Sequence, residues 1–539
     1  MMTSCLLLLC ALVGDPQQPA RDIQRRPAVA SGTISGTVYA DDGKTPLKRS
    51  IVRASAAELS RRRTVRTDIE GKFRLADLPA GRYTITASNA QYLTLDYGQR
   101  RPFEPGRRIE LAAGETLARV DVLLPRAAAI GGVILDDENE PVSQMWVVAA
   151  RYAFRNGQRR LVSVARGVTN DIGEFRLAGL APGDYYVMAR ERDIRVRAFS
   201  DEPSGYGTTY YPGTTQFAEA QAIRVTLGQE IVNTSLPVMP SRTAQVSGRV
   251  VDETGAPLAV RVSLNDGPGT PLFGGIIGGA VANADGRFSV AGVRPGNYDL
   301  LARSESGADG SVSIEVRDAD LTGLTLVVGR GATASGRVIS ASGTPLPVSV
   351  DLRAVGPGTG QQSPTARLRP DGSFELGALI GSRVWRTPSI ASGWWLKAVM
   401  LGDTDLTDQP MTFTRGQRVT GLTVVVDDKP TEISGEVHDE AGHAIGDYTA
   451  IVFSEDASRW SPETRFVRAD RPDHRGLFRV AGLPPGKYLV AALDYVEEGQ
   501  WQDTAFLERL RRVATRVTLE AAQKTTIQLS LASLAEREP

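Results

Sequence analysis

Imidazole groups, on which many hydrolytic and metal sites depend, are scarce in this chain of 539 residues. The three histidines are His438, His443 and His474. Zinc sites and Ser–His–Asp triads need an imidazole at a set distance from further ligands or from a nucleophile. His438 and His443 flank a predicted turn and form no HExxH pattern. We therefore predict turn histidines in solvent, no catalytic residue, no metal ligand and no cofactor, and we expect that the protein is not an enzyme.

Two acidic segments and one glycine-rich segment offer other chemistry. Carboxylates at Asp136–Glu140 and between Asp403 and Asp408 could hold Ca²⁺. Neither segment has EF-hand spacing, and both fall where turns are expected, so turns are the favoured interpretation. The segment Gly267–Ala280 lacks the Gly-Lys-Ser/Thr ending of a phosphate-binding loop, so it is predicted to be an ordinary loop.

Aromatic side chains are the remaining candidates for a binding site, because their faces can stack on sugar rings. Trp460 and Trp501 are flanked by polar residues, which predicts that both are exposed and could line one groove. Tyr206, Tyr210 and Tyr211 lie in a polar loop and are weaker candidates. The alternative is that these rings pack inside the protein and bind nothing.

One repeated phrase organises the chain that must position these residues. Its clearest copy runs from Asp171 to Tyr185, in which Phe175 and Leu177 alternate with polar residues and a Pro-Gly turn follows. This pattern predicts a strand, a tight corner and a second strand. A Tyr ten residues after the Phe suggests a tyrosine corner, in which the phenol bonds to nearby backbone. The phenylalanines of the five copies are predicted to be core residues, and the tyrosines of four copies structural: Phe73, Phe175, Phe288, Phe374, Phe478, Tyr83, Tyr185, Tyr298 and Tyr488.

The fourth copy has no Tyr at that offset, and Trp385 is predicted to fill the corner. Alternation also predicts that one of Trp394 and Trp395 is a core residue. The apolar spacing within Phe506–Leu510 predicts a short helix packed on the last repeat.

Each repeat opens with a strand that carries a glycine and ends with an apolar strand. The opening glycines are Gly36, Gly132, Gly248, Gly336 and Gly435. A spacing of about 100 residues is the size of one seven-stranded sandwich. We predict β-sandwich repeats at 32–126, 127–242, 243–330, 331–429 and 430–539, joined by short linkers that orient neighbouring domains semi-rigidly.

The strand Ser-Gly-x-Val, a turn, and the phrase D-x-x-G-x-F-x-L-x-x-L-x-P-G-x-Y together resemble the carboxypeptidase regulatory-like domain, over nearly the whole chain. The segments Tyr97–Pro102 and Tyr210–Thr215 further resemble secreted bacterial arrays of such domains. The resemblance implies an all-β fold of five tandem Ig-like or prealbumin-like β-sandwich domains in a row. It also implies a domain without catalytic residues, and related sandwiches suggest starch binding.

Charge and the N-terminal residues bear on location and partners. Acidic and basic residues number 62 each, so there is no net basic charge that would predict nucleic-acid binding.

The apolar run at 1–14, with Cys5 and Cys10, predicts a signal peptide followed by a linker at 15–31, and no stable membrane span. We expect a secreted, periplasmic or cell-surface protein. Its expected function is a non-catalytic binding or spacer module whose partner is a polysaccharide or another surface protein; the alternative is a carbohydrate-binding protein that uses exposed aromatics.

Overall fold

The structure, a computed structural model, describes residues 31–534 apart from 60, 192–203, 268–275, 306, 318, 348–349, 357–363 and 367. The predicted signal peptide with both cysteines, nearly all of the predicted linker and most of the glycine-rich segment lie outside the described residues. No helix in the described part of the chain is long and apolar enough to cross a membrane.

The described residues of the first sandwich form nine strands: β1 (Gly32–Ala40), β2 (Ile51–Ser55), β3 (Arg63–Arg66), β4 (Lys72–Leu78), β5 (Gly81–Ser88), β6 (Leu95–Asp96), β7 (Ile109–Leu111), β8 (Thr116–Leu117) and β9 (Val122–Leu124). One sheet has the order β4-β1-β8 with β9 also paired to β1. The other has the order β3-β2-β5-β6 with β7 also paired to β5.

The second sandwich contains β10 (Ala128–Leu135), β11 (Met145–Arg155), β12 (Gln158–Val168), β13 (Glu174–Leu180), β14 (Gly183–Glu191), β15 (Ser204–Tyr206), β16 (Thr209–Tyr210), β17 (Ala222–Val225), β18 (Glu230–Pro237) and β19 (Pro240–Arg242). Its sheets have the orders β13-β10-β18 and β12-β11-β14-β16, with β17 also paired to β14 and a separate β15-β19 pair.

The third sandwich contains β20 (Ala244–Asp252), β21 (Arg261–Asp266), β22 (Ile276–Val281), β23 (Arg287–Val293), β24 (Gly296–Arg303), β25 (Asp309–Val316) and β26 (Leu321–Val328). The fourth contains β27 (Ala332–Ser340), β28 (Val350–Val355), β29 (Ser373–Leu379), β30 (Gly381–Ile390), β31 (Trp395–Leu401), β32 (Thr404–Asp405), β33 (Met411–Phe413) and β34 (Arg418–Asp427).

The fifth sandwich contains β35 (Glu432–His438), β36 (Ala444–Ile445), β37 (Thr449–Ser454), β38 (Val467–Asp470), β39 (Phe478–Ala481), β40 (Gly486–Leu493), β41 (Thr515–Leu519) and β42 (Lys524–Ser530). The helix α1 (Thr504–Leu510) lies between β40 and β41, as predicted, with Phe506, Leu507 and Leu510 buried. The all-β prediction of five tandem sandwiches is confirmed.

The repeated phrase turns the chain from one sheet of each sandwich to the other. In the second sandwich β13 pairs with β10, whereas β14 pairs with β11 in the facing sheet. The five phenylalanines are buried, and each belongs to a different hydrophobic core. Alternation directs these rings inward because successive side chains of a strand point to opposite faces. The prediction of five separate cores is confirmed.

All four tyrosines of the phrase form the predicted corner. Each hydroxyl donates to the carbonyl four residues earlier: Tyr83 to Pro79 at 2.6 Å, Tyr185 to Ala181 at 2.7 Å, Tyr298 to Arg294 at 3.0 Å and Tyr488 to Pro484 at 2.6 Å. Burial raises the pKa of Tyr83, Tyr185 and Tyr298 to about 12. In the fourth sandwich Trp385 is fully buried in the core, with its ring 6.3 Å from that of Phe374. Its indole Nε1 has no hydrogen-bond partner among the described residues, so it does not replace the hydrogen bond of the tyrosine corner.

The opening glycines are required because the opening and closing segments of each sandwich come very close. A Cβ on Gly336 would lie 1.9 Å from the carbonyl oxygen of Leu422, and one on Gly132 would lie 1.8 Å from that of Thr234. The same clash, at 2.0–2.2 Å, arises at Gly36, Gly248 and Gly435. No side chain fits there, which explains why every copy has glycine.

Candidate binding cleft between the first, second and fifth sandwiches

Trp460 is not exposed. Its side chain is 4% accessible, its indole Nε1 donates to the Ser454 carbonyl at 2.8 Å, and its ring meets Phe453 edge-on at 5.6 Å. A short 3-10 helix, Ala457–Arg459, ends just before it. The polar neighbours that suggested exposure belong to this turn and the chain after it, while the indole packs inward. The prediction of an exposed ring is wrong for Trp460.

Trp501 lies in another short 3-10 helix, Gln500–Gln502, and is half-buried. It packs against the same apolar cluster as Trp460, which covers the outer face of a sheet of the fifth sandwich together with α1. The two indoles therefore share a packing cluster and not an open groove. Trp501 nevertheless keeps part of its surface on a cleft between three sandwiches.

The three tyrosine candidates belong to the second sandwich. Tyr206 and Tyr210 are each 8% accessible, and the Tyr210 ring contacts Phe217 edge-on at 5.4 Å. Tyr211 is partly buried and packs against the core of the same sandwich. An exposed stacking surface is therefore ruled out for Tyr206, which packs into the core of the second sandwich, and for Tyr210, which packs with Phe217 in a separate apolar cluster of the same sandwich.

The cleft that Trp501 lines has a volume of about 390 Å³. The first sandwich contributes the loop around Phe103, the second the end of β11 at Phe154, and the fifth the end of β38 and the 3-10 helix of Trp501. These segments are far apart in the sequence. The cleft exists because the fifth sandwich returns to contact the first two.

A buried arginine joins the fifth sandwich to the first. Nη1 of Arg471 lies 2.9 Å from Oε1 of Glu104, with side-chain exposures of 1% and 2%. The same nitrogen donates to the carbonyls of Gly98 and Pro105 at 3.1 and 3.0 Å. Nη2 pairs with Asp447 of its own sandwich. A charge that is this deeply buried requires such partners, and here most of them come from the other domain.

Further polar contacts extend this interface. Arg82 pairs with Asp470 at 2.8 Å, and Arg479 pairs with Glu110 at 3.2 Å. Three hydrogen bonds to carbonyls of the partner domain add to these pairs: from Arg107 to Pro472 at 2.8 Å, from the Tyr495 hydroxyl to Pro102 at 2.9 Å, and from the Glu498 amide to Phe103 at 2.8 Å. Two further ion pairs join Arg101 to Asp494 and Arg100 to Asp447.

The second sandwich joins the cleft through Arg151. Its guanidinium lies 2.7 Å from Glu497 and is 3.3 Å above the centre of the Phe103 ring. One cation therefore contacts both the first and the fifth sandwich. A guanidinium above an aromatic ring is attracted to it electrostatically, and this attraction adds to that of the ion pair because water is partly excluded here.

Three charged side chains of the cleft have no bonded partner in the protein. Within the described part of the chain, Arg108, Arg155 and Glu498 form no side-chain hydrogen bond or ion pair. Glu498 faces the open cleft, yet the surrounding protein desolvates it and raises its pKa, against the opposing effect of Arg108 and Arg155. The three side chains are therefore available to a ligand.

The other domain contacts also rely on arginine. Arg190 of the second sandwich pairs with Asp266 of the third, and both side chains are buried. Arg465 of the fifth lies 2.7 Å from Asp408 of the fourth. Trp395, the more buried of the two adjacent tryptophans, lies against Gly482 of the fifth sandwich, whereas Trp394 packs on the fourth core.

The acidic segments have internal partners. Asp136 accepts the backbone N–H groups of Glu138 and Glu140, Asp405 accepts that of Thr407, and Asp408 is paired with Arg465. Across the described residues, no group of three or more His, Cys, Asp or Glu side chains is placed to hold a metal ion.

Sequence reasoning missed the arginines that close the structure. Most of the 62 basic residues are arginine and few are lysine. Because the planar guanidinium suits buried ion pairs and backbone carbonyls better than an ammonium does, this bias is a signal of interfaces. Arg100 and Arg101 lie in the segment Tyr97–Pro102, whose resemblance to secreted arrays does not indicate an interface.

Solved structures that are similar to this chain include the Bacillus anthracis TIE protein, with 9% identity, 72% of this chain and 68% of that chain covered, and a TM-score of 0.16. A streptococcal ancillary pilin has 14% identity, with 55% and 99% covered and a TM-score of 0.20. BcpA, the major pilin subunit of Bacillus cereus, has 11% identity, with 55% and 99% covered and a TM-score of 0.14. No curated protein matches the chain.

The family model described as carboxypeptidase regulatory-like domain matches residues 33–125 and 245–329. These segments hold the strands of the first and third sandwiches. The resemblance inferred from the Ser-Gly-x-Val strand and the corner phrase is confirmed there. The chain is thus a tandem array of β-sandwiches that carries the carboxypeptidase regulatory-like domain in its first and third members.

Proposed function

We propose that this protein is an exported, non-catalytic scaffold in which five sandwiches close into one compact binding platform. The proposed domain boundaries fall at residues 126, 242, 330 and 429, and the proposed location is outside the cytoplasm or at the cell surface. The observation that carries the proposal is the buried interface between the first and fifth sandwiches, centred on Arg471 and Glu104.

The contacts favour a platform over an extended spacer. A spacer must hold its ends apart, whereas here the fifth sandwich contacts the first, the second and the fourth. The first also contacts the fourth, since the amide of Ser392 donates to Glu58 at 3.1 Å. An arrangement closed by several interfaces keeps its domains in fixed relative positions, as a binding platform requires.

The chemistry of the described residues supports a non-catalytic role. His443 is largely exposed and lies 3.4 Å from Asp439 in its own turn. His438 lies 3.5 Å from Glu436, the residue two before it on the same strand. Both imidazoles therefore have local acidic neighbours of the kind that turns and strand surfaces supply.

Small-angle scattering tests closure on the whole chain. Five sandwiches of about 13 Å radius of gyration each, spaced about 35 Å apart in a straight line, would give a radius of gyration of roughly 50 Å. A closed arrangement gives about 30 Å by the same reasoning. A value near the larger figure would overturn the platform proposal.

Cross-linking provides a second test. In a full-length chain carrying Cys5→Ser and Cys10→Ser, Arg101→Cys and Asp494→Cys place one thiol on each side of the interface. A short bismaleimide should join them within one molecule. A matched control pairs Arg101→Cys with Arg317→Cys, an exposed residue of the third sandwich, and should not cross-link.

Export is tested separately. The full-length chain, carrying a C-terminal tag in its native cells, should appear in the cell envelope or the medium, and a variant that lacks residues 2–14 should remain in the cytoplasm. Equal distribution of the two would contradict the proposed location.

A further inference from the structure

The cleft between the first, second and fifth sandwiches has the composition of a ligand site. Two arginines, Arg108 and Arg155, reach it from different sandwiches, and both act electrostatically on Glu498, which lines the same cleft. Aromatic rings of Phe103, Phe154 and Trp501 line the same space. The cleft, at about 390 Å³, falls in the size range of small-molecule sites.

We propose that this cleft binds an organic carboxylate with a ring-shaped body, with the carboxylate held by Arg108 and Arg155 and the ring against Trp501. This inference rests on the proposed function, because only the closed arrangement brings the three sandwiches together. The ligand can be an acidic sugar unit or an aromatic acid, which share this chemistry.

The free hydrogen-bond donors of the cleft favour an anion over a neutral or cationic ligand. Three other charged groups of the cleft are paired with a charge of opposite sign: Arg471 with Glu104, Arg151 with Glu497, and Asp470 with Arg82. Asp96 has a neutral partner, the Thr86 hydroxyl, which donates to it at 2.6 Å. The two free guanidinium groups are thus left as donors, and paired N–H groups in a fixed plane suit carboxylate oxygens.

A single negative charge fits better than two. Arg108 and Arg155 contribute two basic side chains to the cleft, and Glu498 and Asp96 contribute two acidic ones. A monoanionic carboxylate adds one negative charge to this group, whereas a phosphate dianion adds two beside Glu498. Like charges at short range in a partly desolvated site are unfavourable, so a carboxylate is preferred.

The aromatic side chains that line the cleft explain why the proposed ligand contains a ring. The indole of Trp501 is anchored on one side by the apolar cluster of the fifth sandwich, so its orientation is maintained without ligand. The Phe103 ring is held by the guanidinium of Arg151. Pre-positioned aromatic faces stack on flat or apolar ring surfaces at little entropic cost.

Calorimetric titration of the full-length protein tests the proposal. The probes are galacturonate for an acidic sugar, 4-hydroxybenzoate for an aromatic acid, and cellobiose and inorganic phosphate as comparisons. We expect one or both carboxylates to bind at least tenfold more tightly than cellobiose or phosphate. The two carboxylate arms identify which source the cleft prefers.

The double variant Arg108→Ala/Arg155→Ala should lose at least tenfold in affinity for the bound carboxylate. Neither side chain has a hydrogen-bond partner among the described residues, so the fold should be retained. Arg166→Ala, an exposed arginine on β12 of the second sandwich, is the matched control and should bind like the unchanged protein. Carboxylate binding that survives the double variant would overturn the proposal.

Small-angle scattering on the same samples distinguishes a failure of the ligand assignment from a failure of the proposed closed arrangement. A compact particle that binds neither carboxylate, or that binds cellobiose or phosphate equally well, overturns the ligand assignment and leaves the platform intact. An extended particle overturns the platform and the cleft with it.

Discussion

The guanidinium of Arg471 in the fifth sandwich and the carboxylate of Glu104 in the first lie 2.9 Å apart, almost fully shielded from solvent. A buried ion pair contributes little net stability compared with apolar packing, but removing one partner leaves the other charge buried without its counter-ion, which is costly. The pair therefore specifies how the two domains dock more than how stable each is. A misaligned fifth sandwich would leave Glu104 without its cation and Arg471 with Asp447 as its remaining acidic partner.

Arg471→Ala should open the interface. The loss leaves Glu104 buried without its cation, which should weaken the docking of the two domains by about 3–5 kcal/mol. We expect the radius of gyration to rise and hydrogen exchange to increase in peptides containing Gly98 and Pro105.

Arg317→Ala is the control for this change, because Arg317 pairs with Glu315 on the exposed surface of the third sandwich. Exposed pairs contribute about 0–1 kcal/mol, so its scattering profile should not change. If Arg471→Ala behaves in the same way, the buried pair does not hold the domains together.

Gly336→Ala should destabilise the fourth sandwich strongly. The added Cβ would meet the Leu422 carbonyl at 1.9 Å, so the opening and closing strands would have to separate. Overpacking against backbone should cost about 3 kcal/mol or more. Hydrogen exchange of peptides from β27 and β34 during urea unfolding measures this loss.

Gly377→Ala is a matched change in the same domain. No atom lies within 4 Å of its added Cβ, and it does not have a positive φ. Its effect should stay below about 1 kcal/mol. Equal destabilisation by the two variants would mean that loss of glycine flexibility, not the clash, is the cause.

The features that could be predicted from sequence are those with local causes. Phe175 and Tyr185 belong to one continuous stretch whose alternation and turn residues determine both the strand direction and the corner. The glycine of each opening strand recurs in every copy of the repeat, but the sequence does not show why a glycine is required there. It is required because a closing strand, far along the chain, packs directly against it.

The site residues could not be predicted in the same way. Trp460 is buried because a segment that follows β40, including α1, covers the outer face of its sheet. The cleft depends on contacts such as that between Arg471 and Pro105, which are 366 residues apart. Periodicity and spacing report local environment, and neither carries information on which domains meet.

Tyr185→Phe should lower stability modestly. The variant removes the hydrogen bond to the Ala181 carbonyl at 2.7 Å, which contributes about 0.5–1.5 kcal/mol. Urea unfolding followed by hydrogen exchange in β13 and β14 should show the change. Tyr186→Phe, one residue later, is the control, because that hydroxyl has no hydrogen bond within the described residues. Loss of carboxylate binding at full stability would contradict a structural role for Tyr185.

Carboxylate binding in the cleft should strengthen as pH falls from 7 towards 5. The charged groups that face Glu498 are Arg108 and Asp96 of the first sandwich and Arg155 of the second. Because burial raises the pKa of Glu498, this residue gains a proton at a higher pH than an ordinary glutamate. Protonation removes the negative charge beside the ligand, while the ligand carboxylate stays ionised. We expect an affinity gain of about threefold to tenfold, as for a partly screened charge pair.

Glu498→Gln mimics the protonated side chain and should abolish this dependence. The variant should bind the carboxylate about threefold to tenfold more tightly at pH 7 and show a flat affinity profile down to pH 5. Glu138→Gln, an exposed change in a turn of the second sandwich, should keep the pH dependence of the unchanged protein. Calorimetric titrations at pH 5, 6 and 7 measure all three. If the profile of Glu498→Gln still rises at low pH, another group controls the site, and the placement of the ligand beside Glu498 is wrong.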